Sequence, residues 1–155
     1  MTQHNATIVW TRSGAAFTDR RYSRGHVWRF DEGVEVPASA SPHVVRLPMS
    51  VAAAVDPEEA FVAALSSCHM LWFLDFASRR GFVVDSYEDA AIGTMGRSPT
   101  GKECVATVTL RPRALFGGAT VPTRADIVAM HHAAHDACYI ANSVTTDVRC
   151  EPPED

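Results

Sequence analysis

The sequence predicts an α+β fold in which antiparallel sheets pack around one long central helix. Three observations carry that prediction. A long apolar stretch with start and stop signals at both ends occupies the middle of the chain. Segments rich in β-branched and aromatic residues precede and follow it. No βαβ alternation, Gly-rich phosphate loop or internal repeat is present, which argues against a parallel doubly wound sheet and a nucleotide site.

The first fifty residues read as strands and turns. ATIVWTR has strand composition, and RYSRGHVWRF and GVEVPA flank the turn signal Asp31-Glu32-Gly33, so a hairpin is expected there. From Pro37 to Pro48 the composition shifts to Ala, Ser and Pro, the mark of an extended loop or edge segment.

DPEEAFVAALSSCHMLWFLDFASRRG is the clearest helix. Asp56 can cap it, Pro57 suits its first turn, Glu58 and Glu59 complement the dipole, and Gly81 can end it after Arg79 and Arg80. From Pro57 to Arg80 it would run about 36 Å. Its middle is apolar on most of its circumference, so it should be buried. Phe61, Leu65, Cys68, Trp72 and Phe76 form one apolar stripe that includes the cysteine. VVDSYEDAAIG and KECVATVTLRP then read as strands joined by the turn GRSPTG, and NSVTTDVRC reads as a last strand. Between the last two lies a second helix, TRADIVAMHHAAHDAC, opened by Thr123 with Asp126 as a capping-box partner.

Composition limits the function. With 155 residues, 46% hydrophobic and 21% charged, the chain suits one globular domain over residues 1–155. A net charge of −4 and no basic run interleaved with aromatics argue against nucleic acid as a partner. MTQHNATIVW has neither a basic lead nor a long apolar stretch, and Ser66, Ser67, His69 and Asp75 interrupt the longest apolar run. No membrane segment and a cytoplasmic location are therefore expected.

The four cysteines are too sparse for a secreted disulfide framework, so each is weighed on its own. Cys104 shares a strand face with Ala106, Val108 and Leu110, and Cys150 shares one with Val144, Thr146 and Val148. For both, inert packing is the expectation. Cys68 and Cys138 differ because each stands on a helix among polar neighbours: Ser66, Ser67 and His69 for the first, His131, His135 and Asn142 for the second.

DPEEAFVAALSSCHM followed by AHDACYIANSV resembles the OsmC/Ohr family of thiol-dependent peroxidases, and the resemblance covers nearly the whole chain. It implies an OsmC-like fold, an intertwined homodimer and reduction of organic hydroperoxides in oxidative-stress defence. Cys68 would be the peroxidatic cysteine and Cys138 the resolving one. By position Arg24 and Glu58 would complete the site, with Arg29 next in line for the arginine. No cofactor is implied; a dithiol, for example of the lipoyl type, would recycle the enzyme. CYIANS after the second cysteine and His69 after the first depart from the Ohr branch, which marks a separate OsmC-like subgroup and leaves the preferred peroxide and reductant open.

The chemistry agrees with this resemblance. Peroxide reduction through sulfur needs a thiolate, which a guanidinium favours, and a second thiol to trap the sulfenic acid. Glu58 and Cys68 are ten residues apart, about 15 Å along a helix, so the carboxylate cannot reach that sulfur directly. Either the helix bends and Arg24 spans the gap, or Glu58 serves a partner chain. Two other readings compete. His131 and His135 at i and i+4, with Cys138 and Cys68-His69, could hold a metal. Trp28, Trp72, Phe73 and Tyr139 could line a binding pocket without turnover.

Overall fold

The computed structural model describes residues 1–153. Backbone contacts gather the chain into two units, residues 1–60 and residues 61 onward.

In the first unit β1 (Ala6–Val9), β2 (His26–Phe30) and β3 (Glu35–Ala38) form an antiparallel meander. The Asp31–Gly33 turn between β2 and β3 is a short 3-10 segment with Glu32 and Gly33 both at positive φ (57° and 81°), which explains the glycine. Trp10, Phe17 and Tyr22 make a small aromatic cluster: Phe17 stacks on Tyr22 at 4.6 Å between centroids, and Trp10 meets Tyr22 edge-on at 5.4 Å.

α1 (Pro57–Arg79) starts and stops where the sequence places it. Asp56 Oδ1 accepts from the Glu59 N–H at 2.8 Å, and Glu59 returns the favour to the Asp56 N–H at 3.1 Å, a reciprocal cap that satisfies two orphan donors. At the other end Gly81 adopts φ 78°, with Phe82 N–H donating to the Ala77 carbonyl and Gly81 N–H to the Ser78 carbonyl. That is a Schellman ending, and the left-handed residue at its C′ position favours glycine.

The second unit holds two sheets. β4 (Val83–Asp89) pairs antiparallel with β7 (Pro112–Gly117). β5 (Ile92–Arg97) pairs antiparallel with β6 (Glu103–Leu110), and β6 pairs with β8 (Asp147–Cys150). This last pair is parallel, a correction to the all-antiparallel expectation. VVDSYEDAAIG is two strands in different sheets, and PRALFG is a strand the sequence reading left out. α2 (Arg124–Ala137) carries the expected capping box, Thr123 with Asp126, and Cys138 is its C-terminal cap.

α1 is apolar almost all round, yet the residues it buries are Leu65, His69, Phe73 and Ala77. The buried stripe is thus turned by one residue from the one through Cys68, which is only half-buried. Phe73 and Ala77 pack with Met130 and Ala134 of α2, and Leu65 packs with Val108 and Leu110 of β6. Gly93 on β5 lets the strand pass close beneath the helix, since a Cβ there would lie 2.5 Å from Val62 Cγ2. Leu71 remains 61% exposed.

Candidate functional site

Residues 66 to 69 form one turn of α1, and each side chain in it has a different task. Ser66 Oγ donates to Asp89 Oδ2 at 2.5 Å, while Asp89 Oδ1 accepts from the Arg111 N–H at 2.6 Å. This carboxylate ties the turn to the end of β4 and the start of β7. Cys68 projects toward the C-terminal end of α2, where its thiol lies near that of Cys138 and influences its titration. Trp72, one turn after Cys68, packs edge-on against Tyr139, the residue after Cys138, at 5.5 Å between centroids. These aromatics hold the two cysteine-bearing segments together beside the sulfurs.

The two thiols are unequal. Cys138 is buried (1% exposed) and Cys68 is half-buried. Burial pushes the Cys138 thiol up to about 11, and the nearby Cys68 adds to the rise. The Ala141 N–H at 3.4 Å and the backbone at Ile140 act in the opposite direction but do not win. Cys138 therefore holds its proton near pH 7. Both thiols are free, as are Cys104 and Cys150.

Arg24 and Glu58 belong to the first unit. Arg24 is held by its own loop: its Nη1 donates to the Arg20 carbonyl at 2.9 Å and to the Tyr22 carbonyl, and its guanidinium lies 3.8 Å from the Tyr22 ring centroid. Behind it, Trp28 Nε1 donates to His26 Nε2 at 2.9 Å, so His26 carries its proton on Nδ1 and gives it to the Arg24 carbonyl at 2.8 Å. Arg24 lines a cavity of about 470 Å³ with Trp10, Phe17, Tyr22 and His26. Arg29 is committed elsewhere, to Glu35 across the β2–β3 ladder at 2.5 Å. Glu58 is half-buried in the first turn of α1. That helix is unbroken to Arg79, which preserves the distance of about 15 Å to the Cys68 level.

His69 points into the core. Its Nε2 lies 3.0 Å from His131 Nδ1 and 3.7 Å from Cys150 Sγ, and His131 stacks on Phe73 at 4.3 Å. Burial lowers His69 to about 4 and His131 to about 3, so both imidazoles are neutral near pH 7. Burial, with the nearby carboxylates of Asp89 and Glu151, raises Cys150 to about 12. The sequence reading grouped His131 with His135 and Cys138; the structure groups it with His69 and Cys150, and the inert reading of Cys150 missed that neighbour. Of the suggested aromatic pocket, Phe73 is instead fully buried core, and Trp28 lies in the first unit.

Residues 50–152 match the OsmC-like protein family. The chain belongs to that family. An OsmC-like protein of unknown function from Vibrio cholerae is 52% identical, with 99% of this chain and all of that one covered and a TM-score of 0.97. An organic hydroperoxide resistance protein from Elizabethkingia anophelis superposes over 100% of this chain and 98% of its own with a TM-score of 0.71 at 16% identity. Its Bacillus subtilis counterpart covers 98% of each chain with a TM-score of 0.63 at 18% identity. At such identities these two establish the shared OsmC-like fold. No curated protein matches the chain in sequence.

Proposed function

We propose that this OsmC-like protein is a cysteine-based thiol peroxidase that reduces organic hydroperoxides. The observation that carries this reading is the proximity of Cys68 and Cys138: a half-exposed thiol near a buried one that retains its proton. Cys68 as thiolate attacks one peroxide oxygen, the O–O bond breaks, and the other oxygen leaves as alkoxide and takes a proton. The sulfur, oxidised by two electrons, is now a sulfenic acid. Cys138 attacks it, a disulfide forms and water leaves. An external dithiol reduces the bridge and restores both thiols.

Arg24 is the cation that favours the Cys68 thiolate in this reading, since Arg29 is engaged by Glu35. Glu58 acts through Arg24, in the same chain or in a partner. Exposed Leu71 on a helix apolar nearly all round supports burial of α1 against a second copy, as an intertwined homodimer. The family match crosses the boundary between the two units, which supports one OsmC-like domain. Four free thiols suit a reducing cytoplasm. α1 is long and apolar enough to cross a membrane, but its reciprocal cap and its buried His69 mark it as a core helix.

Trp72 and Tyr139 beside the sulfurs favour peroxides with an organic group over hydrogen peroxide. The test is turnover of cumene hydroperoxide driven by a lipoyl-type dithiol, with hydrogen peroxide in parallel. Turnover that persists in Cys68→Ser would rule the mechanism out.

A further inference from the structure

The buried His69–His131–Cys150 cluster has no part in the peroxidase cycle. Among the described residues it is the one group of three metal-ligating side chains whose ligand atoms converge, all within 4.8 Å of one another. The three come from α1, α2 and the edge strand β8, so they are brought together only by the completed fold. His69 and His131 are 1% and 3% exposed.

The spacing matches a known coordination geometry. A tetrahedral zinc ion with Zn–N about 2.05 Å and Zn–S about 2.3 Å sets ligand edges of about 3.3 Å for N···N and about 3.6 Å for N···S. The observed edges are 3.0 Å between the imidazole nitrogens and 3.7 Å from His69 Nε2 to Cys150 Sγ. The third edge, from His131 Nδ1 to Cys150 Sγ, lies within 4.8 Å and closes to the zinc value by a rotation of the Cys150 or His131 side chain. The Asp89 carboxylate makes the surroundings negative, as its effects on His69, Tyr87 and Cys150 show. Such a field attracts a cation.

We infer that His69 Nε2, His131 Nδ1 and Cys150 Sγ form a binding site for a borderline-soft divalent cation of the zinc class, with a fourth position left for water. Two neutral imidazoles coordinate once the proton of their mutual hydrogen bond moves to the far nitrogen of its ring, and a thiolate completes a donor set that zinc prefers over magnesium or calcium. Binding releases one proton, from the Cys150 thiol to solvent. The half-buried Cys150 on an edge strand gives the ion its way in. The site is separate from the Cys68–Cys138 pair and does not depend on the peroxidase reading.

Cobalt(II) is the probe, titrated into the full-length, chelator-stripped and reduced protein, followed by competition with zinc. One ion per chain should bind tetrahedrally, with visible d–d bands and a near-ultraviolet thiolate-to-cobalt band, and zinc should displace it. The thiolate band should vanish in Cys150→Ser and persist in Cys68→Ser and Cys138→Ser. His69→Gln and His131→Gln should each weaken zinc by at least about 100-fold, the upper end of what loss of a supporting partner alone costs. If either histidine variant fails to fold, the Cys150→Ser chain carries the test. As a second readout, zinc should slow maleimide labelling of Cys150 at least tenfold and leave Cys104 unchanged. Absence of stoichiometric binding, or a thiolate band that disappears with Cys68 or Cys138 instead, would overturn the assignment.

Discussion

Cys68 and His69 leave the same turn of α1 about 100° apart and enter two different chemistries. Cys68 reaches the end of α2 and meets another thiol, half-exposed and beside aromatic side chains. His69 reaches the middle of α2 and meets a buried imidazole and a second, half-buried thiol. The first pair can meet a substrate because Cys68 is half-exposed beside a buried thiol. In the second, burial holds the imidazoles and the thiol in their neutral forms, closed to nucleophilic chemistry until a cation draws the proton from Cys150. Two adjacent residues of one helix turn thus lead to different chemistry through what the neighbouring helix and strand bring to them.

The comparison breaks most sharply at the nucleophile. Cys68→Ser should lower hydroperoxide turnover by about 10³-fold or more in a dithiol-coupled assay, while Cys150→Ser should leave it near the parent value. Equal losses in both would erase the distinction between the two groups. Next in size is the resolving thiol. Cys138→Ser should turn over and then fail, with mass spectrometry finding sulfinic and sulfonic acid on Cys68 as activity decays.

The buried cluster should reveal itself through stability. Both histidines have folded pKa values well below 6.5, so the unfolded chain takes up protons that the folded one refuses. The associated stability is full above about pH 6.5 and falls as the pH drops toward 4. The loss should be on the order of 3 kcal/mol for each histidine, read from urea midpoints in the presence of chelator. The groups that bear on the pair are Asp89, which favours protonation, and His132, His135 and Arg124, which oppose it. His131→Gln should flatten the decline between pH 6.5 and 4; an unchanged slope would place the acid sensitivity elsewhere.

The smallest expected effect concerns the arginine. Arg24→Ala should raise the midpoint of Cys68 alkylation by about one pH unit, and Lys should restore only part of it because a point charge lacks the planar fork. Arg29→Ala, which removes only the partner of Glu35, should not move it. Glu58→Gln should shift the profile in the parent chain and have little further effect once Arg24 is Ala, as expected of coupled residues.

Much of this was legible in the sequence where local chemistry decides. Asp56, Thr123 with Asp126, and Gly81 announced both helices, because caps act within a few residues. The cysteine pair was legible through family resemblance, and the two thiols lie near each other. The phase of α1 was not. A helix apolar on most of its surface satisfies several stripes equally well, and the buried one runs through His69 and not Cys68. β4 and β5 read as one strand because Ala90 and Ala91 carry no turn signal. β7 stayed hidden behind Pro112, a residue tolerated at the first position of a strand. The parallel pairing of β8 and the meeting of His69 with His131, 62 positions apart, depend on long-range packing that local patterns do not encode.

Peptide mapping after oxidation tests the central claim most directly. One equivalent of cumene hydroperoxide added to the reduced protein should produce a disulfide between Cys68 and Cys138, leaving Cys104 and Cys150 free for alkylation. A bridge from Cys68 to Cys104 or Cys150, or no bridge at all, would contradict the assignment of Cys68 as the peroxidatic thiol and Cys138 as its resolving partner.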